Sequence, residues 1–546
     1  MHPILHSQSS FSMANTFGGF VHHSPLSSLP HDPPLTLASN CVREFFGPIV
    51  QTVFDALVKC GGSATLSSLM ANVRHECKRV WNEERERLVV RGKYKIQRAK
   101  GPSSNGYVVD ASSIRGAVLV LLQHDIVSVQ KKGHQYIYHV HPHKARLITR
   151  FPRIIEYVKK VMDETAAAIV ETLLLDGKLD TVDTVWKTVN CLTEVPKSDR
   201  YTQRQTVVET LHRLVEGSFV MQVPPLDSKA KDPDSSKDDP AIVSILANAP
   251  YKATLPRHAV WRINWKLIHE SLRAFCLGRL VAERYGHKVA SAGSIVTAAL
   301  KYQAYNRASD EIFSPHDISP YLPKAVQQAL EKKPGGLLSN LSKSLVELSH
   351  FDYPPIVDEV EEAAGHAAGG KFSVSTQKMV KHLRDRTIHQ FIVDSLGEVA
   401  ARIISVLRVQ GASEAEPLAE ATMEPAKDTR ENLHKLYRGN LAQLMAMQQG
   451  KQHNPASMIF LWSVDHKHLL LSVRDKVCTA MTNLRLRRQH ESEIGKAWIE
   501  RATEQDVDEN ENEEDKARYN KFCQGLERLD HAMMQVDETL LVLFDF

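Results

Sequence analysis

A short pattern of apolar positions recurs along the chain. Two apolar residues three apart close a helical stretch, a polar or glycine gap follows, and a brief apolar run comes next. It reads Val118, Leu121 and Ile126-Val127-Ser128-Val129; Leu211, Leu214 and Phe219-Val220-Met221; and Leu433, Leu436 and Leu441-Ala442-Gln443-Leu444. A looser copy runs from Leu345 and Leu348 to Ile356-Val357. A helix that hands its apolar seam to a short hairpin is the sequence form of a winged helix. Recurrence at roughly hundred-residue spacing predicts an array of such modules.

The first module's opening helix carries Phe45, Phe46, Ile49, Val50, Val53, Phe54 and Leu57, and Gly61-Gly62 stops it. Further helices are expected over Thr65–Val73 and, capped by Ser112-Ser113, over Ile114–His124. Its wing spans Ile126–Val140, where Tyr136, Tyr138 and Val140 alternate with Ile137 and His139. The second module has helices over Glu164–Leu175, Asp180–Cys191 and Tyr201–Glu216, and a short wing ending at Pro224-Pro225. A third begins near Trp261, with helices Leu267–Tyr285, Val289–Tyr302 and Leu338–Leu348 and a wing tip at Ala363–Gly370. The fourth has helices Phe391–Gln410, Pro417–Met423 and Thr429–Arg438 and a returning strand at Ile459–Trp462.

After His466 the period changes. Tyr519, Phe522, Leu526, Leu529, Met533, Val536 and Leu540 recur at alternating steps of three and four, a heptad seam. Leu470, Val473, Val477, Leu484, Ile494 and Trp498 form a weaker outgoing stripe, with acidic residues between the two. The predicted fold is mainly α with small β wings: four tandem winged-helix domains followed by a C-terminal antiparallel coiled-coil hairpin. A parallel coiled-coil dimer is the other reading of the seam. The expected organisation is a disordered tail at 1–36, winged helix 1 at 37–149 with an insertion at 74–100, and winged helix 2 at 150–226. A polar linker follows at 227–259, then winged helix 3 at 260–375, winged helix 4 at 376–465, and the hairpin at 466–546 with an acidic tip at 504–515.

Composition narrows the function. The 546 residues are 42% hydrophobic and 24% charged, as in ordinary globular proteins. The net charge of only +4 means that any nucleic-acid contact comes from local patches. Seven scattered cysteines with no C-x-x-C pair suit a reducing compartment and argue against a zinc site. No apolar run is long enough for a membrane helix, and the first 36 residues lack the pattern of a secretory signal.

The richest local patch is the insertion Arg74–Lys100, with ten Lys/Arg against four Glu. Arg91, Lys93, Lys95, Arg98 and Lys100, with Lys131 and Lys132 on the first wing, are the candidate phosphate-binding residues, and Tyr94 offers a stacking ring. The helices Ile114–His124 (Arg115 only) and Tyr201–Glu216 (Arg204, Arg213) are too poor in charge for a free sequence-specific DNA reader. Arg485, Arg487 and Arg488 are expected to face a partner or solvent. On the last helix, Tyr519, Phe522, Leu526, Leu529, Met533 and Val536 are the candidate protein interface.

Gly365–Lys371 imitates a phosphate-binding loop, but Phe372 stands where Ser or Thr must hold magnesium, and the flanks read as strands. His139, His141 and His143 alternate without a Cys or carboxylate to complete a metal set. Asp506, Asp508 and Asn510 lack the glycine a calcium loop needs. No catalytic, cofactor or metal residues are assigned, and no small-molecule substrate is expected.

Four runs in order resemble one family: Leu119-Val-Leu-Leu-Gln-His-Asp-Ile-Val-Ser128, Arg150-Phe-Pro-Arg153, Ile169-Val-Glu-Thr-Leu-Leu-Leu-Asp-Gly-Lys-Leu179, and Leu529-Asp530 with Gln535-Val-Asp-Glu-Thr539. The family is the third-largest subunit of eukaryotic RNA polymerase III, whose winged helices resemble those of the large subunit of the general factor TFIIE. The resemblance spans roughly Leu37 to the last residue. It implies a nuclear, non-catalytic subunit of a heterotrimeric initiation subcomplex. Its implied partners are the polymerase's largest subunit at the clamp, the two smaller heterotrimer subunits, and promoter DNA. It implies roles in loading and opening promoter DNA for tRNA, 5S rRNA and other small RNA genes. The tail, the 74–100 insertion and the short second wing depart from the family pattern. The rival reading is a winged-helix scaffold of a proteasome-lid or signalosome type, against which the repeated wings and the lack of a long helical-repeat region speak.

Overall fold

In a computed structural model the chain is described over residues 32–75, 111–192, 200–223, 255–256, 258–286, 289, 291–306, 312–350, 357–361, 370–448, 458–495 and 513–545. Helices dominate, and the described strands form four small antiparallel sheets. The described residues divide into two compact units, one within His23–Phe275 with Gln303–Arg307, the other within Cys276–Tyr302 and Ala308–Phe546.

The first unit opens with α1 (Pro33–Phe46) and α2 (Pro48–Lys59). The apolar spacing of Phe45–Leu57 reads as one helix, but the chain breaks at Gly47. Its φ of 89° and ψ of 173° suit glycine, and Pro48 restarts the helix with a ring already set for the first turn. Then come β1 (Ser63–Thr65), α3 (residues 66–75), α4 (Ala111–Gln123), β2 (Val127–Lys132) and β3 (Gln135–Val140). The sheet order is β1-β3-β2, with Val127 opposite Val140 and Lys132 opposite Gln135. Its core joins Phe54, Leu57, Leu69, Ile114, Val118, Leu121 and Ile126, all nearly solvent-free. The wing leaves this core at once: Val127 and Val140 are buried at its base, while Tyr136 is 54% exposed. The expected half-buried alternation along β3 therefore holds only at that base.

After α5 (Pro142–Arg146) and α6 (Phe151–Val161), the same plan repeats. It comprises α7 (Glu164–Asp176), β4 (Leu179–Asp180), α8 (Thr181–Cys191), α9 (Arg200–Glu216), β5 (Val220–Gln222) and β6 (Val260–Ile263). Asp163 and Asp180 cap α7 and α8 by accepting from the amides of Ala166 and Asp183. The sheet order β4-β6-β5 corrects the expected boundary near Trp261: β6 completes this second sheet instead of opening a third module. Burial of Trp261 explains the choice. Its indole N–H donates to Thr181 Oγ1 at 2.9 Å, and that hydroxyl donates to the Pro256 carbonyl at 2.7 Å.

The second unit holds the end of α10 (Trp265–Tyr285) from Cys276 on, then α11 (Ala292–Asn306), β7 (Ile312–Phe313), α12 (Pro315–Ile318), α13 (Lys324–Glu331), α14 (Gly336–Ser349), β8 (Val357–Glu361) and β9 (Lys371–Val374). The sheet order is β7-β9-β8. Then follow α15 (Thr376–Leu396), α16 (Glu398–Gln410), α17 (Ala415–Thr422), α18 (Ala426–Arg438), β10 (Gln443–Gln448) and β11 (Met458–Ser463). The expected single helix Phe391–Gln410 is split at Gly397, with φ 94° and ψ 170°, nearly the conformation of Gly47. Residues 376–390, unassigned in the sequence reading, belong to α15.

Two long helices end the unit, α19 (His466–Ile494) and α20 (Glu513–Phe544). Arg488 pairs with Asp530, and Arg474 lies over the Phe544 ring, so the two run antiparallel. The expected acidic tip falls outside the described residues except for 513–515, which open α20. The buried stripe of α19 is Leu469, Val473, Val477, Cys478 and Met481. Leu470 is only half-buried and Ile494 is 63% exposed, contrary to the predicted stripe.

One local device explains the recurring sequence pattern. Asp125, Ser218 and Asn440 all sit at φ 56–59°, each at the end of a helix and just ahead of its hairpin. The following amides of Ile126, Phe219 and Leu441 donate back to the carbonyls of Leu121, Leu214 and Leu436 at 2.9–3.0 Å. A left-handed residue followed by this long backbone bond is the Schellman stop of a helix, and it aims the chain into the hairpin.

Candidate nucleic-acid and partner interfaces

Of the candidate phosphate-binding residues, Arg91, Lys93, Lys95, Arg98 and Lys100 lie outside the described residues, as does Tyr94. Lys131 and Lys132 sit together at the exposed tip of β2, beside the turn at Gly133 (φ 62°). Register puts Lys131 opposite Tyr136 and Val129 opposite Tyr138, so cation and aromatic rings share one hairpin face. The exposed side of α4 carries only one cation, Arg115, next to Leu119, which is 63% exposed.

The turn after α4 is instead a joint within the first unit. Asp125 receives Lys178 Nζ at 2.6 Å and Arg262 Nη1 at 2.9 Å. Lys178 also donates to the Leu122 carbonyl, and Gln123 donates to the Asp176 carbonyl. Burial opposes the Asp125 charge, yet the two cations hold its carboxyl below the usual range. Burial of the neighbouring His124, offset only in part by Asp176 and Asp125, pushes its pKa down to about 4. Gly177 (φ 81°) lets the α7 turn approach, since a Cβ there would lie 2.6 Å from the Gln123 carbonyl oxygen.

A cationic helix, absent from the sequence-based candidates, emerges from the fold. α18 exposes Lys427, Arg430, His434, Lys435, Tyr437 and Arg438. Arg430 pairs with Glu416 and Lys435 with Glu431, leaving a modest positive balance along the helix. His434 and Tyr437 stack edgewise on Trp462 of β11. The three-and-four spacing of these residues, on the helix that feeds the third clean copy of the pattern, is the signal in the sequence that marks them. Cations interleaved with rings suit phosphate contact plus base stacking.

On α20, Tyr519, Phe522, Leu526, Leu529 and Met533 are partly exposed and Val536 is buried. Part of this seam is spent inside the chain, because α20 packs along α19 and Gly495 lies against the Phe522 ring. Arg488 is likewise paired with Asp530 at 2.6 Å while staying partly exposed, and Arg487 lies 3.8 Å from Glu491. Ion pairs tie α20 and α15 to α10: Arg279 of α10 with Glu538 of α20, and Arg386 of α15 with Glu283 of α10 at 2.9 Å. Arg284 donates to His382, whose pKa is lowered by burial and by that cation. An open cleft of about 320 Å³ lies among these helices, lined by Arg279, Glu283, Arg386, Phe391 and Val536.

The nucleotide-loop imitation meets a different structure. Lys371 opens β9, and Phe372 is fully buried between Phe313 and Glu359 in its sheet. Residues 362–369 lie outside the described residues, as do Asp506, Asp508 and Asn510. His141 shares a hydrogen bond with Ser128 Oγ and meets the His143 ring edgewise. Among the described residues no cluster of His, Cys, Asp and Glu could hold a metal ion, and no helix is long and apolar enough to cross a membrane.

Residues 388–464, from late α15 through β11, match the family model described as POLR3C, C-terminal winged-helix domain. The human protein DNA-directed RNA polymerase III subunit RPC3 is 22% identical over 488 residues, covering 79% of this chain and 89% of that protein. The Danio rerio protein of the same name is 22% identical over 470 residues, 74% of this chain and 84% of its own length. The Aspergillus niger protein named DNA-directed RNA polymerase III subunit rpc3 is 27% identical over 140 residues, 26% of this chain and 22% of its length. With a winged-helix domain of that type and similarity running through most of the length of the human and Danio rerio proteins, the chain is similar to the RNA polymerase III subunit RPC3 (POLR3C) proteins.

Proposed function

We propose that this chain is a non-catalytic subunit of nuclear DNA-directed RNA polymerase III that helps load and open promoter DNA for tRNA, 5S rRNA and other small RNA genes. The observation that carries this reading is the winged-helix match at 388–464 within a similarity covering 79% of the chain. In this reading the four helix-and-hairpin groups are tandem winged helices, with the second extended to Ile263 by its third strand. The pair α19–α20 is a coiled-coil hairpin that docks on the clamp of the largest subunit. The two smaller heterotrimer subunits take other faces. Protein contacts dominate, since α4 and α9 are poor in cations. DNA phosphates are held by the 91–100 cations, by Lys131 and Lys132, and by α18.

Affinity purification from nuclear extract tests the assignment: recovery of the polymerase III largest subunit supports it, and recovery of proteasome-lid or signalosome subunits without polymerase overturns it. The DNA role has its own test. Replacing Arg91, Lys93, Lys95 and Arg98 by Ala, or Lys427 and Arg438 by Ala, should flatten the salt dependence of duplex binding. The log–log slope should change by about 0.9 for every phosphate that is no longer neutralised. A set whose removal leaves the slope unchanged does not touch DNA.

A further inference from the structure

Both faces of the hairpin β10–β11 are apolar. Register pairs Leu444 with Trp462 and Ala446 with Phe460 on one face, and Met445 with Leu461 and Met447 with Ile459 on the other. Met447 is 56% and Phe460 52% exposed, and Leu444, Met445 and Met458 are also open. Neither strand carries a charged residue.

The free edge of this sheet can be assigned bond by bond. The amide and carbonyl of Trp462 are both taken by Ser413 on the far side of β11, at 2.8 and 2.9 Å. Leu444 and Trp462 are therefore opposed without bonding each other. The backbone groups of Leu444, and by alternation those of Ala446 and Gln448, point away from β11. Among the described residues no strand pairs with that side. Edges of the other sheets are guarded: β2 ends in Lys131-Lys132, β5 has three residues, and β8 carries Asp358, Glu359 and Glu361. Charge and brevity keep such edges from pairing with foreign strands. The edge of β10 has neither guard.

This edge is complementary to itself. Two-fold pairing about an axis perpendicular to the sheet keeps each face on its own side. With Ala446 at the axis, Ala446 meets its own counterpart and Leu444 meets Gln448 of the other copy, so every outward backbone group of the exposed stretch 444–448 finds a partner. Centring on Met445 instead leaves Gln448 unpaired. The Ala446 register also sets Met445 against Met447 of the other copy, and no opposed pair brings like charges together. We propose that the free chain self-associates through β10, as an antiparallel strand pair joining two hairpins into one sheet of order β11-β10-β10-β11. This goes beyond the polymerase assignment and does not depend on it.

Sedimentation equilibrium of the purified full-length chain tests it, with a monomer–dimer equilibrium expected. Met445→Lys and Met447→Glu each place an unpaired charge in the interface and should weaken association about tenfold or more. Mixing the two variants sets Lys against Glu and should restore a mixed dimer, which also shows that both variants fold. In hydrogen exchange, the amides of Leu444, Ala446 and Gln448 should gain protection as concentration rises. A chain that is monomeric at every concentration overturns the proposal, as do variants that dimerise as tightly as the wild type or a mixture that fails to recover. Protection of those three amides that does not change with concentration, or that appears only on adding polymerase subunits, overturns it as well.

Discussion

At the residue scale, the left-handed hinges Asp125, Ser218 and Asn440 are alike in backbone but not in what their side chains do. Ser218 is exposed, so its strain is uncompensated by an ion pair. Ser218→Gly should stabilise by about 0.5–1 kcal/mol, read from the urea midpoint. Asp125→Gly should destabilise despite the same backbone relief, because Lys178 and Arg262 lose their shared carboxylate. Gly177→Ala should cost about 2–3 kcal/mol, since its backbone is glycine-like and its Cβ would meet the Gln123 carbonyl. The same joint sets a pH dependence. His124 takes its proton near 6.5 when unfolded but only at about 4 when folded. The unfolded chain therefore binds more protons across that window, and stability should fall as pH drops through it. The Asp125 carboxyl, depressed in the fold, adds a further loss at lower pH. His124→Gln should flatten the urea midpoint between pH 6.5 and 4.5; an unchanged profile would contradict the assigned burial effect.

At the element scale, legibility depended on whether the signal was local. The helix-to-hairpin turn is set by six consecutive residues and their own backbone bonds, so its copies could be read off the chain. Helix breaks at Gly47 and Gly397 escaped because apolar spacing continues through them, while a single backbone torsion ends the hydrogen-bond ladder. The heptad seam of α20 and its antiparallel partner stripe were legible, but not which residues of α19 are buried or that Asp530 holds Arg488. That ion pair is half-exposed, so Arg488→Ala should lower stability by only about 0.5 kcal/mol in thermal melts.

At the scale of the whole molecule, two compact units imply more than one unfolding transition. Calorimetry of Gly177→Ala should lower the transition of the unit containing residues 32–275 and leave the other in place; a uniform shift of a single peak would show one cooperative body instead. By itself the sequence determined the mainly helical class, the hairpin turns, the cationic insertion and the family resemblance, because each lies in a short run of residues. Tertiary structure alone decided that Val260–Ile263 completes the second sheet, since a strand chooses neighbours by burying Trp261 and not by sequence distance. It also decided that Asp125 is a joint and that His434 and Tyr437 of α18 pack on Trp462. Those outcomes rest on which distant groups lose water together, and no local pattern encodes that.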